Sequence, residues 1–349
     1  METQDTIAAI ATPHGTGGIS VVRVSGPNVG AVASQVIGRL PKPRQASLRP
    51  FADSDGCQID EGLAIFFPAP GSFTGEDVLE LHGHGGPVLV SEVLRSILNA
   101  GARPAAPGEF SERAFLNGRL DLAQAEGVAD LINSATVTAA RSAMRSLKGE
   151  FSDQINAFNA VLADLRAYIE AAIDFPEEEI DFLTEGGVEA RVCSASQRLS
   201  QLQEGASQGA LLASGIRVVL AGQPNVGKSS LLNRLSTEDR VIVSDIAGTT
   251  RDVVTVSTEI EGLKVELVDT AGLRKAENAL EAEGVKRARR AIEEADLALL
   301  VVDDVFEAEG ANGGLENEWP APVDYILVRN KCDLSGRRIG VLDERSPPT

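Results

Sequence analysis

The stretch Gly222-Gln223-Pro224-Asn225-Val226-Gly227-Lys228-Ser229 follows an apolar run, Ile216 to Ala221, and leads into the helical pattern Ser230-Leu231-Leu232-Asn233-Arg234-Leu235. It has the spacing G-x-x-x-x-G-K-[ST] in the strand-then-helix setting that gives the spacing its meaning. The glycines let backbone N–H groups approach phosphate oxygens, and the N-terminus of the following helix adds a favourable dipole. Lys228 is placed to neutralise the outer phosphates and the Ser229 hydroxyl to ligate Mg²⁺.

Three further segments follow and separate this stretch from an ordinary glycine-rich turn. Asp269-Thr270-Ala271-Gly272 closes the apolar run Val265 to Val268, at the strand end where open α/β sheets put ligand-binding residues. There Asp269 can hold Mg²⁺ through water, and the Gly272 N–H can meet a γ-phosphate. Gly248-Thr249-Thr250-Arg251-Asp252 lies between the two, with Thr250 placed to supply a second Mg²⁺-ligating hydroxyl from a switch loop. Asn330-Lys331-Cys332-Asp333 follows the last apolar run, Tyr325 to Val328. A carboxylate at Asp333 accepts hydrogen bonds from the ring N–H and exocyclic amine of guanine, whereas adenine would leave it unpaired at a cost. The four segments predict a GTP site in an α/β, Ras-like P-loop G domain.

One expected group is missing. In Ras-like proteins a glutamine after the D-T-A-G run orients the attacking water. Leu273 stands there and cannot polarise water, which leaves Glu277, Glu281 and Glu283 competing for the role. Arg251 and Arg274 are the nearby arginines, and switch-loop arginines more often make structural ion pairs than act as fingers.

The remainder of the chain has two other textures. Up to about residue 118 it reads as an α+β module, with short strand patterns at Ile19 to Val24, Leu63 to Phe67 and Val78 to Leu81 and a helical pattern at Pro87 to Ala100. His82 and His84 read as turn residues rather than ligands. From Leu120 an Ala-rich stretch with helical spacing continues past Leu165 and Ile169, so 119–214 is expected to be α-helical. Asp174-Phe175-Pro176-Glu177-Glu178-Glu179-Ile180-Asp181 reads as an acidic, solvated helix start. At Gly215 strands and helices alternate in the pattern of a parallel sheet, giving domains 1–118, 119–214 and 215–349.

Composition narrows the function classes. The 349 residues carry 32 basic and 51 acidic side chains, a net charge of -19 that argues against loose adhesion to nucleic acid. The three cysteines, Cys57, Cys193 and Cys332, are too far apart and too few for a disulfide framework or a zinc site. With no export signal and no apolar run of bilayer length, a soluble protein of the reducing cytoplasm is expected, with no membrane partner.

Taken together, these residues resemble the MnmE (TrmE) family of tRNA-modifying GTPases. Beyond the G-domain segments, the resemblance rests on Asp5-Thr6-Ile7-Ala8 with Ala11-Thr12-Pro13, and on Phe73-Thr74-Gly75-Glu76-Asp77-Val78-Leu79-Glu80-Leu81-His82-Gly83-His84-Gly85-Gly86. Pro107-Gly108-Glu109-Phe110-Ser111-Glu112-Arg113-Ala114-Phe115-Leu116-Asn117 and Ala171-Ala172-Ile173-Asp174-Phe175-Pro176 extend it. The resemblance implies a homodimer whose N-terminal domain binds 5-formyltetrahydrofolate or a related tetrahydrofolate, and a helical domain into which the G domain is inserted. It implies a K⁺-stimulated GTPase that works with MnmG, an FAD protein, in a heterotetramer. Together they add an aminomethyl or carboxymethylaminomethyl group to C5 of the wobble uridine of certain tRNAs.

Carried over by position, the GTP contacts would be Asn225, Val226, Gly227, Lys228, Ser229 and Ser230 of the phosphate loop and Ser244, Asp245, Ile246, Ala247, Gly248, Thr249 and Thr250 of the switch loop. Asp269, Thr270, Ala271 and Gly272 would complete the phosphate side, and Asn330, Lys331 and Asp333 the base side. Asn225, Ser244, Ile246 and Thr249 would hold K⁺ in place of an arginine finger, and Glu281 would orient the water. Arg23, Glu80 and Arg119 would contact the folate.

The likeness stops near Asp333. Family members continue through the rest of the G domain, the second half of the helical domain and a C-x-G-K tail, whereas Leu334 to Thr349 resemble none of these. The G domain is therefore expected to be incomplete at its C-terminal end, through truncation or a frameshift. Two other readings compete: a regulatory GTPase switch of the ribosome-assembly type, and a non-catalytic fragment that only dimerises and binds folate.

Overall fold

A computed structural model describes residues 5–174, 187–223, 225–238, 254–269, 290–305, 323–336 and 340. The chain forms two compact units, one of residues 1–129 with 146–153, the other of 130–145 with 154–349.

The first unit is built on six strands: β1 (Ile7–Ile10), β2 (Gly17–Ser25), β3 (Ser47–Ala52), β4 (Gln58–Phe67), β5 (Val78–Gly85) and β6 (Arg103–Pro104). Their order in the sheet is β3-β4-β5-β2-β1-β6, antiparallel throughout except that β6 runs parallel to β1. Alternation assigns the faces. Val22 and Val24 of β2, Ala64 and Phe66 of β4, and Leu79 and Leu81 of β5 point into one core. Helices α1 (Val29–Val36) and α2 (Pro87–Asn99) supply Val29, Val32, Val93 and Ile97 to that core. Pro87 opens α2 at the first helical position, where its missing N–H costs nothing. The opposite register positions, Arg23 of β2 and Glu80 and His82 of β5, share the other face. His82 and His84 therefore lie on a strand and not in a turn, which corrects the sequence expectation. The glycine between them lets β4 come close: a Cβ at Gly83 would sit 2.6 Å from Asp60 Oδ2 of that strand.

Helix α3 (Glu109–Leu116) is fixed by a charge cluster. Arg113, 1% exposed, donates to the Asp5 carbonyl (2.9 Å) and carboxylate (2.8 Å), to both Glu76 oxygens (3.1 Å) and to Glu109 (3.0 Å). Such dense pairing is what burial of a guanidinium demands.

The expected helical stretch is present as α4 (Leu122–Asn133), α5 (Val137–Leu147), α6 (Glu150–Asp174) and α7 (Val188–Ser214). Of the acidic run, Asp174 ends α6 and residues 175–181 lie outside the described residues.

The second sheet comprises β7 (Ile216–Ala221), β8 (Val254–Ile260), β9 (Leu263–Asp269), β10 (Leu297–Asp303) and β11 (Tyr325–Asn330), in the order β11-β10-β7-β9-β8. Val218, Val219 and Leu220 of β7 and Ala298, Leu300 and Val301 of β10 are all buried, as strands covered on both faces must be. Helix α8 (Lys228–Glu238) covers one face with Leu232, and Ala291 covers the other. The four strands β7, β9, β10 and β11 are parallel as expected, but β8 is an antiparallel edge strand that the sequence pattern did not reveal. It reaches β9 through a two-residue turn, Glu261-Gly262, both at positive φ (50° and 85°), as a twisted hairpin requires.

Candidate functional site

The phosphate loop leaves β7 through Gly222, whose φ is +142° and where a Cβ would lie 2.1 Å from the Val301 carbonyl oxygen of β10. Asn225 (φ 62°) and Gly227 (φ 99°) also adopt left-handed conformations, one tolerated by Asn and the other natural to Gly. Turns of this kind point successive N–H groups into one concavity, the geometry of an anion nest. Lys228, 5% exposed, folds back over the loop and donates to the carbonyls of Gly222 (2.8 Å) and Gln223 (2.7 Å). Ser229 and Ser230 are exposed in the first turn of α8, leaving their hydroxyls accessible to a ligand.

The second wall comes from the end of β11. Asn330 donates its side-chain amide to the Val226 carbonyl (2.7 Å), and a Cβ on Gly227 would fall 2.1 Å from that same nitrogen. Lys331 sits at φ 62° and opens the short helix α9 (Cys332–Ser335), on which Asp333 is exposed. Asp269 ends β9 with its backbone beside Leu220 of β7, so the third segment starts next to the phosphate loop. The sheet thus gathers Asn225 to Ser230, Asp269, Asn330, Lys331 and Asp333 at the C-terminal ends of parallel strands, where open α/β sheets bind ligands. Ser244 to Thr250, Thr270 to Gly272 and Glu281 lie outside the described residues.

Sequence reasoning missed two acids at the same edge. Asp303 ends β10 and Asp304 follows it, both buried. Asp303 Oδ2 accepts from Lys331 Nζ (2.7 Å), and its Oδ1 accepts from the Val305 N–H (3.1 Å). The Lys331 ammonium holds the Asp303 carboxyl below the usual carboxylate range. Asp304 accepts from the Ser335 hydroxyl and lies 3.7 Å from Arg329. The available signal was a pair of acids directly after Val301-Val302, at a strand end.

On the outer face of the first sheet, Arg23 and Glu80 are cross-strand partners joined by Nε–Oε1 (2.9 Å) and Nη2–Oε1 (2.8 Å) contacts. The other Glu80 oxygen meets His82 Nε2 at 3.2 Å. The Arg23 guanidinium lies over the rings of Phe73 (5.3 Å) and Phe110 (5.8 Å). Arg119 is exposed, with its stem close to Gly75: a Cβ there would lie 3.1 Å from Arg119 Cγ. Arg23 and Glu80 are therefore brought together, and Arg119 stands by the loop that carries Phe73.

A glycine-shaped phosphate loop between a buried parallel strand and a helix, tied to an N-K-x-D turn, defines a P-loop nucleotide-binding domain of the GTPase class. Residues 6–119 match the family model "GTP-binding protein TrmE N-terminus", and residues 122–324 match "MnmE helical domain". The tRNA modification GTPase MnmE of Coxiella burnetii (strain Dugway 5J108-111) is 55% identical over 337 residues, 95% of this chain and 74% of that protein. The protein of the same name from Pseudomonas putida (strain GB-1) is 52% identical over 342 residues, 97% of this chain and 75% of its own length. The chain belongs to the MnmE (TrmE) family. A crystal structure of Aquifex aeolicus Era bound to GDP and AlF4⁻ aligns over 35% of this chain and 42% of its own, at 31% identity and a TM-score of 0.27, too low to bear on the fold. Among the described residues no helix is long and apolar enough to cross a membrane.

Proposed function

We propose that this chain binds GTP between the 222–230 loop and the 330–333 turn and hydrolyses it in the service of tRNA modification, the activity that its relatives' names carry. The observation that carries the reading is the joint between the two walls, the Asn330 amide on the Val226 carbonyl. A cradle in which Cβ atoms at Gly222 and Gly227 would collide with backbone or with Asn330 suits phosphate oxygens approaching bare backbone. Lys228 would exchange its two carbonyl contacts for the outer phosphates, and Asp333 would accept from the guanine edge.

Water attacks the γ-phosphorus in line as the bond to the β-phosphate oxygen breaks, giving GDP and phosphate. The chain's task is to hold the phosphates still and offset charge that grows on them. Ser229 and Thr250 would ligate Mg²⁺, and Asn225, Ser244, Ile246 and Thr249 a K⁺ ion; these cations supply positive charge that no arginine finger provides. Glu281 is assigned the water-orienting role by position in the family. Of these, the exposed Ser229 and the left-handed Asn225 suit ligation from the loop rim.

In the same reading, residues 1–118 form a folate-binding dimerisation domain, 119–214 the first half of a helical domain, and 215–349 the G domain. Arg23, Glu80 and Arg119 would hold 5-formyltetrahydrofolate or a related tetrahydrofolate. A homodimer would act on tRNA in the cytoplasm with an MnmG-type FAD protein to modify the wobble uridine. The match of 6–119 to the TrmE N-terminus favours this over a ribosome-assembly switch. GTP hydrolysis by the purified chain, measured in KCl and in NaCl, tests it. Faster turnover in KCl is expected; equal, background rates in both salts would contradict the enzyme reading and leave the fragment that dimerises and binds folate.

A further inference from the structure

The base-reading turn has a feature that the nucleotide itself does not explain. Lys331 is a long, flexible residue held at φ 62°, a conformation that non-glycine residues adopt only when their surroundings impose it. Its ammonium is fixed on Asp303, whose side chain is 7% exposed against 33% for Lys331, so the acid is covered and the lysine reaches it from a half-exposed position. Both Asp303 oxygens are engaged, Oδ2 by Lys331 and Oδ1 by the Val305 N–H. A second tether runs parallel, from Ser335 at the far end of α9 to Asp304. Asp333 lies between the two tethered residues and is itself exposed, so its direction is set by the turn and not by packing of its own side chain.

We infer that Asp303 is a positioning residue of the nucleotide-base site, acting through Lys331 to aim the Asp333 carboxylate. The inference rests on the guanine-nucleotide reading above. An acid is needed at 303 because both of its partners are donors. Asparagine offers one acceptor and one donor group, so it satisfies either Lys331 or Val305 and opposes the other. With the ion pair gone, the left-handed Lys331 loses its side-chain restraint, keeping only the backbone bond from the Leu334 N–H to its carbonyl (3.0 Å), and Asp333 loses its fixed direction.

The test is equilibrium binding of GDP and of IDP, which lacks the 2-amino group that Asp333 would accept from. The unaltered 349-residue chain is compared with Asp303→Asn, Lys331→Met and the double variant. Asp303→Asn is expected to weaken GDP binding about 10-fold and IDP binding less, so that discrimination between them falls. In the Lys331→Met background the Asp303 substitution should cost nothing further, since residues acting through one contact are non-additive. Asp303→Glu, which keeps the charge, should restore part of the discrimination. Thermal melting of each variant separates this from a general loss of fold, which would weaken both nucleotides equally. Additive losses, an unchanged ratio of GDP to IDP affinity, or wild-type binding by Asp303→Asn would overturn the inference while leaving the nucleotide reading intact. Failure of the unaltered chain to bind GDP would overturn both.

Discussion

The side-chain amide of Asn330 donates to the backbone carbonyl of Val226 across 2.7 Å, joining the 330–333 turn, to which we assign the base, to the 222–230 loop, to which we assign the phosphates. One hydrogen bond thus couples two motifs 104 positions apart in the chain. Removing it with Asn330→Ala should weaken GTP and GDP alike, by about 10-fold for a partly buried bond worth roughly 1 kcal/mol net plus the carbonyl left unpaired. Titration of a fluorescent GDP analogue reads this directly; a loss confined to GTP would show that the bond serves the γ-phosphate instead.

Gly227→Ala should do more damage than Asn330→Ala. Its Cβ would fall 2.1 Å from the Asn330 amide nitrogen, and its φ of 99° is unsuited to a side chain. The Asn330–Val226 bond is then broken and the loop strained as well, at on the order of 1–3 kcal/mol for the backbone alone. Nucleotide affinity is expected to fall by at least about 100-fold, with melting temperature lowered. Equal losses in the two variants would mean that the glycine matters only through Asn330.

Asp333→Asn exchanges an acceptor for a group that also donates. Xanthine carries a carbonyl where guanine carries its amine, so the variant should prefer XDP to GDP, each exchange of partner being worth roughly 1–3 kcal/mol. Competition of XDP against labelled GDP checks it, and unchanged preference would remove Asp333 from the base site.

The charge cluster in the first unit makes a prediction about pH. Arg103 donates to Glu109, with the Ala106 N–H and Arg113 assisting, and together they hold its carboxyl down at about 2 against an ordinary 4.5. Because the folded value lies below the unfolded one, the stabilisation is complete above 4.5 and is lost as pH falls from there toward 2. Glu109→Gln should therefore cost up to about 3 kcal/mol at neutral pH and progressively less in acid. Urea unfolding at pH 7 and near pH 3 measures the difference; a cost independent of pH would place the effect in shape rather than charge.

The sequence carried much of this architecture, for identifiable reasons. The phosphate loop was legible because its glycines and lysine are fixed by contact with backbone, as at Gly222 and Lys228, and such constraints leave a fixed spacing. Strands β7, β9 and β11 are legible as the apolar runs Ile216 to Ala221, Val265 to Val268 and Tyr325 to Val328. Strand β8 was not, because its hairpin turn is Glu261-Gly262 where asparagine or aspartate would have announced it, and because an edge strand need not be continuously apolar. Asp303 escaped notice because its role depends on pairing β10 with β11, which sets Asp303 against Asn330, a register no local pattern encodes. Nothing in the run around Arg113 marks it as a buried hub; that role exists only once the fold brings Asp5, Glu76 and Glu109 together in space.

The most direct test of the central claim is calorimetric titration of the purified, nucleotide-free chain with GDP and, separately, with ADP in Mg²⁺ and KCl. GDP is expected to bind and ADP to be weaker by at least about 100-fold, the penalty for setting a ring lone pair against the Asp333 carboxylate once the base covers it. Equal affinity for the two, or uptake of neither by chain that melts cooperatively, would contradict it.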